Sequence, residues 1–192
     1  MFFRPRRQYG YGGGGQRADI FTLMMAWGLF QRIQSLPYKP PVTLGLMALM
    51  GFIHFFPNEV PFLSSSELNA FVPVLILANH EFHRFWISTL LHANHSHLYY
   101  NMTSFLYKGV VLESSLGSEM FALVTALSLV VSQFIFLALS LYVAPMFGFP
   151  DAPHVRTLGF SGVIFALKVL VNSAGVADRN ILGLAHIFGL NM

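Results

Sequence analysis

The chain has 192 residues, of which 55% are hydrophobic and 10% are charged, and its net charge is +3. A soluble domain of this size needs a more highly charged surface, so the composition excludes an ordinary soluble protein and indicates one membrane domain. The excess positive charge lies mainly near the N-terminus, where membrane topology explains it, so we expect no nucleic-acid partner.

The first 19 residues combine four arginines with a run of four glycines. This composition predicts a disordered basic, glycine-rich tail. The apolar stretch 20–30 that follows has no signal-cleavage pattern, and we interpret it as a short span or an interfacial helix. Because basic residues precede the first clear span, we expect the N-terminus on the cytosolic side.

Three apolar stretches predict membrane spans, at 42–56, 98–112 and 121–143. Residues 58–96 mix charged and aromatic side chains, which is typical of an interfacial loop that dips partly into the membrane. A fourth helix is predicted to begin at Ser161 and reach Asn172, about half a bilayer at 1.5 Å per residue.

The expected fold class is therefore an all-α polytopic membrane helical bundle. We expect its membrane domain to cover 20–172, and 173–192 to form a divergent C-terminal tail. The apolar segment 181–190 is too short for a confident span, so the bundle is expected to be incomplete at the C-terminus.

The segment Gly159-Phe160-Ser161-Gly162 places a serine between glycines where a loop enters an apolar helix. Glycine permits tight turns and close approach, so Ser161 could face a small cavity with amide donors nearby. The alternative is that Ser161 caps the helix and the glycines pack against a neighbouring helix.

A polar pair, His97 and Asn101, lies at the start of the second predicted span. The spacing of four places both on one helical face, which favours a wet protein interior over lipid. Two donors aimed at one point would suit a developing oxyanion, whereas simple hydrogen bonding between helices is the alternative.

Together these motifs resemble the rhomboid family of intramembrane serine proteases, in particular the endoplasmic-reticulum-type branch and its plant relatives. The resemblance covers about 81–170 and rests on several motifs in order: Arg84, His92, His97-x-x-x-Asn101, Glu113 with Gly117, and Gly159-x-Ser161-Gly162. It implies that Ser161 is the nucleophile, that His97 and Asn101 stabilise the oxyanion, and that the substrates are transmembrane segments. Ser115 stands where the family usually has arginine, which puts the polar network of that turn in doubt.

The resemblance implies a histidine base on a later span. His186 stands in a partly matching His-Ile-Phe-Gly motif, but it follows Ser161 too closely for an intervening span. His186 is therefore either a possible base or a tail histidine without a catalytic role. Lys168 shares a helical face with Ser161 and is a second candidate, unless it snorkels or pairs.

Two functions remain open: a serine endopeptidase that cleaves transmembrane substrates, and an inactive rhomboid-like protein that binds membrane-protein clients. In both, the partners are transmembrane proteins and the lipid bilayer, in the endoplasmic reticulum or another organelle membrane. No cofactor is expected. The histidines between 80 and 97 lack the carboxylate or cysteine spacing of a metal site, and the chain has no cysteine, so no metal is expected either.

Overall fold

The apolar stretches of the sequence form helices in the computed structural model, which describes residues 20–173. The helices are α1 (Ile20–Ser35), α2 (Pro41–Phe55), α3 (Pro61–Ser64), α4 (Ser66–Asn69), α5 (Pro73–Ala78), α6 (His83–Ile87), α7 (His95–Leu116), α8 (Ser118–Ala138), α9 (Ala144–Met146) and α10 (Ser161–Ser173). Short 3-10 turns lie at Ser88–Leu90 and Ala152–His154. The all-α prediction is confirmed. The predicted N-terminal tail, the segment 181–190 and His186 lie outside the described residues.

A π-helical segment, Leu139–Val143, joins α8 to α9 without a break. The resulting helix, Ser118–Met146, has 29 residues and contains an 18-residue window with a mean hydropathy of 2.3. Within residues 20–173 it alone is long and apolar enough to cross a membrane by this test, and α2 and α10 are apolar but shorter. The 22-residue α7 carries Lys108 and Glu113 as well as other polar residues, which lower its hydropathy.

The bundle is apolar on its outside as well as in its core. Along α8 the exposed side chains include Leu123, Leu127, Val131 and Phe134. Burying this surface among lipid tails is favourable, whereas exposing it to water is costly. This exposed face is what a membrane-embedded helix requires.

The core lies around α7, which packs against α1, α2, α8 and α10. Phe105, Leu106 and Val111 of α7 are fully buried, and Val163 and Leu167 of α10 pack into the same cluster. These residues place α7 and α10 side by side, which sets the position of the candidate site.

The predicted loop 58–96 consists largely of short helices, α3 to α6, and its last residues already belong to α7. Arg84 organises it from a buried position: its guanidinium pairs with Glu81 and donates to the carbonyls of Glu67 and Ala70, each at 3.0 Å. A buried cation satisfied in this way holds distant parts of a loop together.

Candidate active site

The segment before Ser161 is fixed to the loop by backbone hydrogen bonds. Phe71 N donates to Thr157 O at 2.8 Å, and Thr157 N donates to Phe71 O at 3.0 Å. Two residues further on, Gly159 N donates to Ser88 O at 3.0 Å. The loop therefore holds the chain in place directly before α10 begins.

Ser88 is in turn held by α8. Gln133, a polar residue in the most apolar helix, donates from Nε2 to Phe85 O at 2.9 Å and to Ser88 Oγ at 3.1 Å. A polar side chain inside a membrane helix commonly serves to bond neighbouring elements. Gln133 thus connects α8 through Ser88 to Gly159.

The start of α10 is anchored by Phe160, which is 1% exposed. Its ring packs edge-on against Phe105 of α7, with 4.9 Å between ring centroids. Because the helix starts at Ser161, Phe160 takes the capping position. Within residues 20–173 no backbone N–H of α10 donates to Ser161 Oγ. The alternative in which the Ser161 side chain caps the helix therefore has no hydrogen bond to support it.

Both glycines of the motif have a packing role. Gly159 has a φ of +121°, which favours glycine, and a Cβ there would lie 2.8 Å from His97 Cε1 and 2.9 Å from His97 Nε2. A Cβ on Gly162 would lie 3.2 Å from Ser132 Oγ of α8. The missing side chains let α10 approach α8 and let the segment before Ser161 touch His97.

The ring of His97 presents a donor towards Gly159. Asn94 caps α7 by accepting a bond from His97 N at 2.8 Å, and His97 Nδ1 accepts a bond from Ala93 N at 3.3 Å. In a neutral imidazole the nitrogen that does not accept carries the proton, so the proton is on Nε2. Nε2 is the nitrogen that lies nearest to Gly159.

The side chain of Asn101 adds a second donor. Its Nδ2 donates to His97 O at 3.1 Å, one turn earlier on α7, and lies 3.9 Å from the Cβ position of Gly159. An amide nitrogen carries two hydrogens, so one remains for another acceptor. The N–H groups in the first turn of α10 have no acceptor within the helix. They point towards its N-terminal end, where Ser161 lies.

One cavity of about 440 Å³ between α7 and α10 brings these groups together. It is lined by His97, Tyr100, Asn101, Ser104, Tyr107, Lys108, Ser161, Ile164, Phe165, Lys168, Val171 and Asn172. Of the residues singled out in the sequence, the structure therefore unites His97, Asn101, Ser161 and Lys168. We call this cavity the α7–α10 groove.

His92 lies behind His97, with 5.2 Å between ring centroids, and is 5% exposed. Burial, with smaller contributions from the nearby His97 and His54, lowers the pKa of His92 to about 3. The ring is therefore neutral at physiological pH. Within residues 20–173 no three histidine or carboxylate side chains are arranged to hold a metal ion.

At the opposite end of α7, Glu113 connects three helices. Its carboxylate, 1% exposed, accepts bonds from Val42 N and Thr43 N at 2.9 Å, Thr43 Oγ1 at 2.7 Å and Ser118 Oγ at 2.8 Å. A carboxylate at a helix N-terminus satisfies orphan amides and complements the helix dipole. Ser115, the departure noted above, donates to Val111 O and takes no part in this network.

Lys108 was not singled out by the sequence reasoning. It lies seven residues after Asn101 and so on the same face of α7, where it is 8% exposed and lines the groove. The signal available in the sequence was a charge inside an apolar helix, which marks a functional position by default.

A model of the rhomboid domain matches residues 79–192, more than half of the chain. The chain is 32% identical over 179 residues to "Rhomboid-like protein 14, mitochondrial" of Arabidopsis thaliana, covering 91% of this chain and 53% of that protein. It is 42% identical over 133 residues to "Rhomboid-related protein 4" of Homo sapiens, covering 69% and 41%. The chain thus spans about half, or less, of the length of these relatives.

No solved structure matches the chain significantly. The family assignment therefore rests on the sequence match, in which the groove residues His97, Asn101 and Ser161 all fall within the matched range. The chain belongs to the rhomboid family.

Proposed function

We propose that this chain is an intramembrane serine peptidase whose nucleophile is Ser161 and whose substrates are transmembrane segments of other proteins. The observation that carries the proposal is the shared groove. It holds the Ser161 hydroxyl, the His97 and Asn101 donors, and the start of α10 in one place. The chain spans about half, or less, of the length of its relatives, so peptidase activity is proposed for it and is not carried over from them.

In the proposed reaction, Ser161 Oγ attacks the carbonyl carbon of the scissile peptide bond and its proton passes to a base. The carbonyl oxygen becomes an oxyanion, which accepts bonds from His97 Nε2, the second amide hydrogen of Asn101 and the first N–H groups of α10. The amine leaves with the proton, and water then hydrolyses the acyl-enzyme.

Two groups are candidates for the base. Lys168 lines the same groove as Ser161 and lies two helical turns further along α10. His186 lies outside the described residues. A serine nucleophile needs a base within hydrogen-bond reach, directly or through one water, in an attainable pose.

The second candidate function is an inactive rhomboid-like protein that binds membrane-protein clients in the same groove. One observation favours it: within residues 20–173, Ser161 Oγ makes no hydrogen bond to any basic side chain. A client-binding protein needs the groove but not the base.

We further propose that 20–172 forms the membrane domain between two tails, with the N-terminus in the cytosol. The membrane would be that of the endoplasmic reticulum or another organelle. The arginines of 1–19 support this orientation, because positive charge is retained on the cytosolic side.

The test is labelling of the bilayer-reconstituted chain with a fluorophosphonate, which reacts with an activated serine. We expect labelling of the parent chain, none in Ser161→Ala, and unchanged labelling in Ser114→Ala. Ser114 is a matched control because it is an exposed serine at the far end of α7. Absence of labelling in folded parent protein contradicts the peptidase and favours the client-binding function.

If the parent is labelled, Lys168→Met and His186→Gln then separate the two candidate bases. Loss of labelling in only one of them identifies the group that takes the serine proton.

A further inference from the structure

Two lysines face the α7–α10 groove from opposite helices. Lys108 belongs to α7 and Lys168 to α10, and both line the cavity that holds Ser161. Each lies seven residues, or two helical turns, beyond a residue of the candidate site on its own helix: Lys108 beyond Asn101 and Lys168 beyond Ser161. The far end of the groove is therefore a concentrated positive site.

Within residues 20–173, no carboxylate neutralises this site. Lys108 Nζ donates to Ser104 Oγ at 2.8 Å and to Ser104 O at 3.3 Å, and both acceptors are uncharged. Glu113 is already occupied by four donors at α2 and α8. Charged side chains inside a membrane pair with an opposite charge or with backbone carbonyls. Lys108 uses the Ser104 carbonyl and hydroxyl, so an anion that balances the two ammonium charges is what the site lacks within the described residues.

The depth of the site restricts what that partner can be. At 1.5 Å per residue, Lys108 lies about 20 Å along α7 from its first residue and about 12 Å from its last. Lys168 lies about 10 Å beyond Ser161 along α10 by the same measure. If α7 spans a hydrocarbon core about 30 Å thick, these distances place both lysines inside that core, below the level of the phospholipid headgroups.

We propose that Lys108 and Lys168 form an anion subsite that receives the carboxylate of an aspartate or glutamate in a client's transmembrane segment. This inference rests on the proposed function, in which such a segment lies in the groove, and it requires a charged Lys168 that does not act as the base. A stretch extended at Ser161 covers 10 Å in about three residues, and a helical one in about seven. The acidic residue therefore lies three to seven positions from the peptide bond at Ser161, and the site selects clients by that residue.

The experiment measures binding of labelled transmembrane peptides to the reconstituted chain by energy transfer in phosphatidylcholine bilayers. Two peptides differ only in one central residue, Glu in one and Gln in the other. We expect the Glu peptide to bind about tenfold more tightly, as for a strong polar contact between membrane helices. Lys168→Met and Lys108→Met are expected to reduce this ratio to near one.

Lys168→Glu provides a second, independent variant. It places an internal carboxylate beside Lys108, so it is expected to abolish the preference for Glu while keeping a polar groove. Arg156→Gln removes a positive charge from an exposed position outside the groove and is expected to leave the tenfold ratio unchanged.

The outcomes separate the subsite from the function on which it rests. Equal binding of the Glu and Gln peptides by the parent chain overturns the subsite and leaves client docking intact. Binding of neither peptide overturns client docking and the subsite with it, while serine labelling stays a separate readout. Loss of the Glu preference in bilayers containing phosphatidylglycerol assigns the site to lipid and overturns the client assignment.

Discussion

Single residues fix the geometry of the candidate site more than any extended surface does. At Gly159 two features exclude a side chain, the backbone conformation and the ring of His97. The sequence motif indicated that glycine mattered there. It could not indicate that the neighbour was His97, because that contact joins residues 62 positions apart and arises only when α7 and α10 pack together.

Gly159→Ala is expected to destabilise the chain by about 1–3 kcal/mol more than Gly148→Ala, because it adds overpacking against His97 to backbone strain. Gly148 is the matched control: its φ is +85°, but a Cβ there meets nothing within 4 Å. Unfolding of both variants in mixed detergent and SDS micelles measures the difference. Equal losses would contradict the role of the His97 contact.

The buried ring of His92 predicts a dependence of stability on pH. Its pKa is lowered from 6.5 in the unfolded chain to about 3, so unfolding takes up a proton between these values. Stability is therefore complete above pH 6.5 and falls as the pH decreases, by about 1.4 kcal/mol per pH unit. We expect a loss of about 2 kcal/mol between pH 7 and pH 5 from this residue.

His92→Gln is expected to remove that part of the pH dependence, whereas His154→Gln, at an exposed position, is expected to retain it. Unfolding curves at pH 7 and pH 5 measure the slope. An unchanged slope in His92→Gln would show that other groups cause the acid sensitivity.

At the scale of elements, the helices were predictable and their partners were not. Apolar length indicated α2, α8 and α10 because each is a mainly hydrophobic run with few polar interruptions. The charges of α7 made its predicted span, 98–112, shorter than the observed helix. The short helices of the loop escaped prediction since their stability comes from contacts such as those of Arg84, which no local pattern contains.

The contact of α2 with α7 depends on Gly109. A Cβ there would lie 2.2 Å from Thr43 Oγ1 and 2.9 Å from Thr43 Cβ, so Gly109→Ala must force the two helices apart. We expect a loss of about 2–3 kcal/mol, since overpacking adds to disturbance of the Glu113 cap on α2.

Gly45→Ala is the control for this change, because Gly45 lies on the same helix as Thr43 and its Cβ position is open. It is expected to be neutral or to stabilise by up to about 1 kcal/mol through helix propensity. Unfolding in mixed micelles measures both variants, and similar behaviour of the two would contradict the close approach of α2 and α7.

At the scale of the whole molecule, the distribution of polarity decides the environment. Apolar side chains cover the outside of α8, while Asn101, Lys108 and Glu113 are buried in α7. Composition predicted the membrane class correctly, because only lipid can solvate the surface of a chain with so many apolar residues. Residue patterns alone indicated a cavity at Ser161 and an inward-facing polar pair at His97 and Asn101. Which polar residues meet inside is decided by packing, so only the resemblance to a known family joined the two.

The polar interior of α7 has a consequence for biogenesis. A lone α7 would have to enter the bilayer with Lys108 exposed to lipid, at about 2.5–3.5 kcal/mol for a central charge, and with Glu113 exposed near its end. Its successor α8 is strongly apolar and follows after Gly117 alone, whose φ of +78° reverses the chain. We therefore expect α7 to be inserted by the translocon together with α8 as a hairpin.

Glycosylation-tagged segments in microsomes measure this insertion. The segment 95–116 alone is expected to insert poorly, whereas the hairpin 95–146 inserts efficiently, and Lys108→Leu rescues the single helix. Efficient insertion of the unaltered single helix would contradict the hairpin route. The charges that α7 contributes to the groove thus require that α7 enters the lipid together with α8 and not alone.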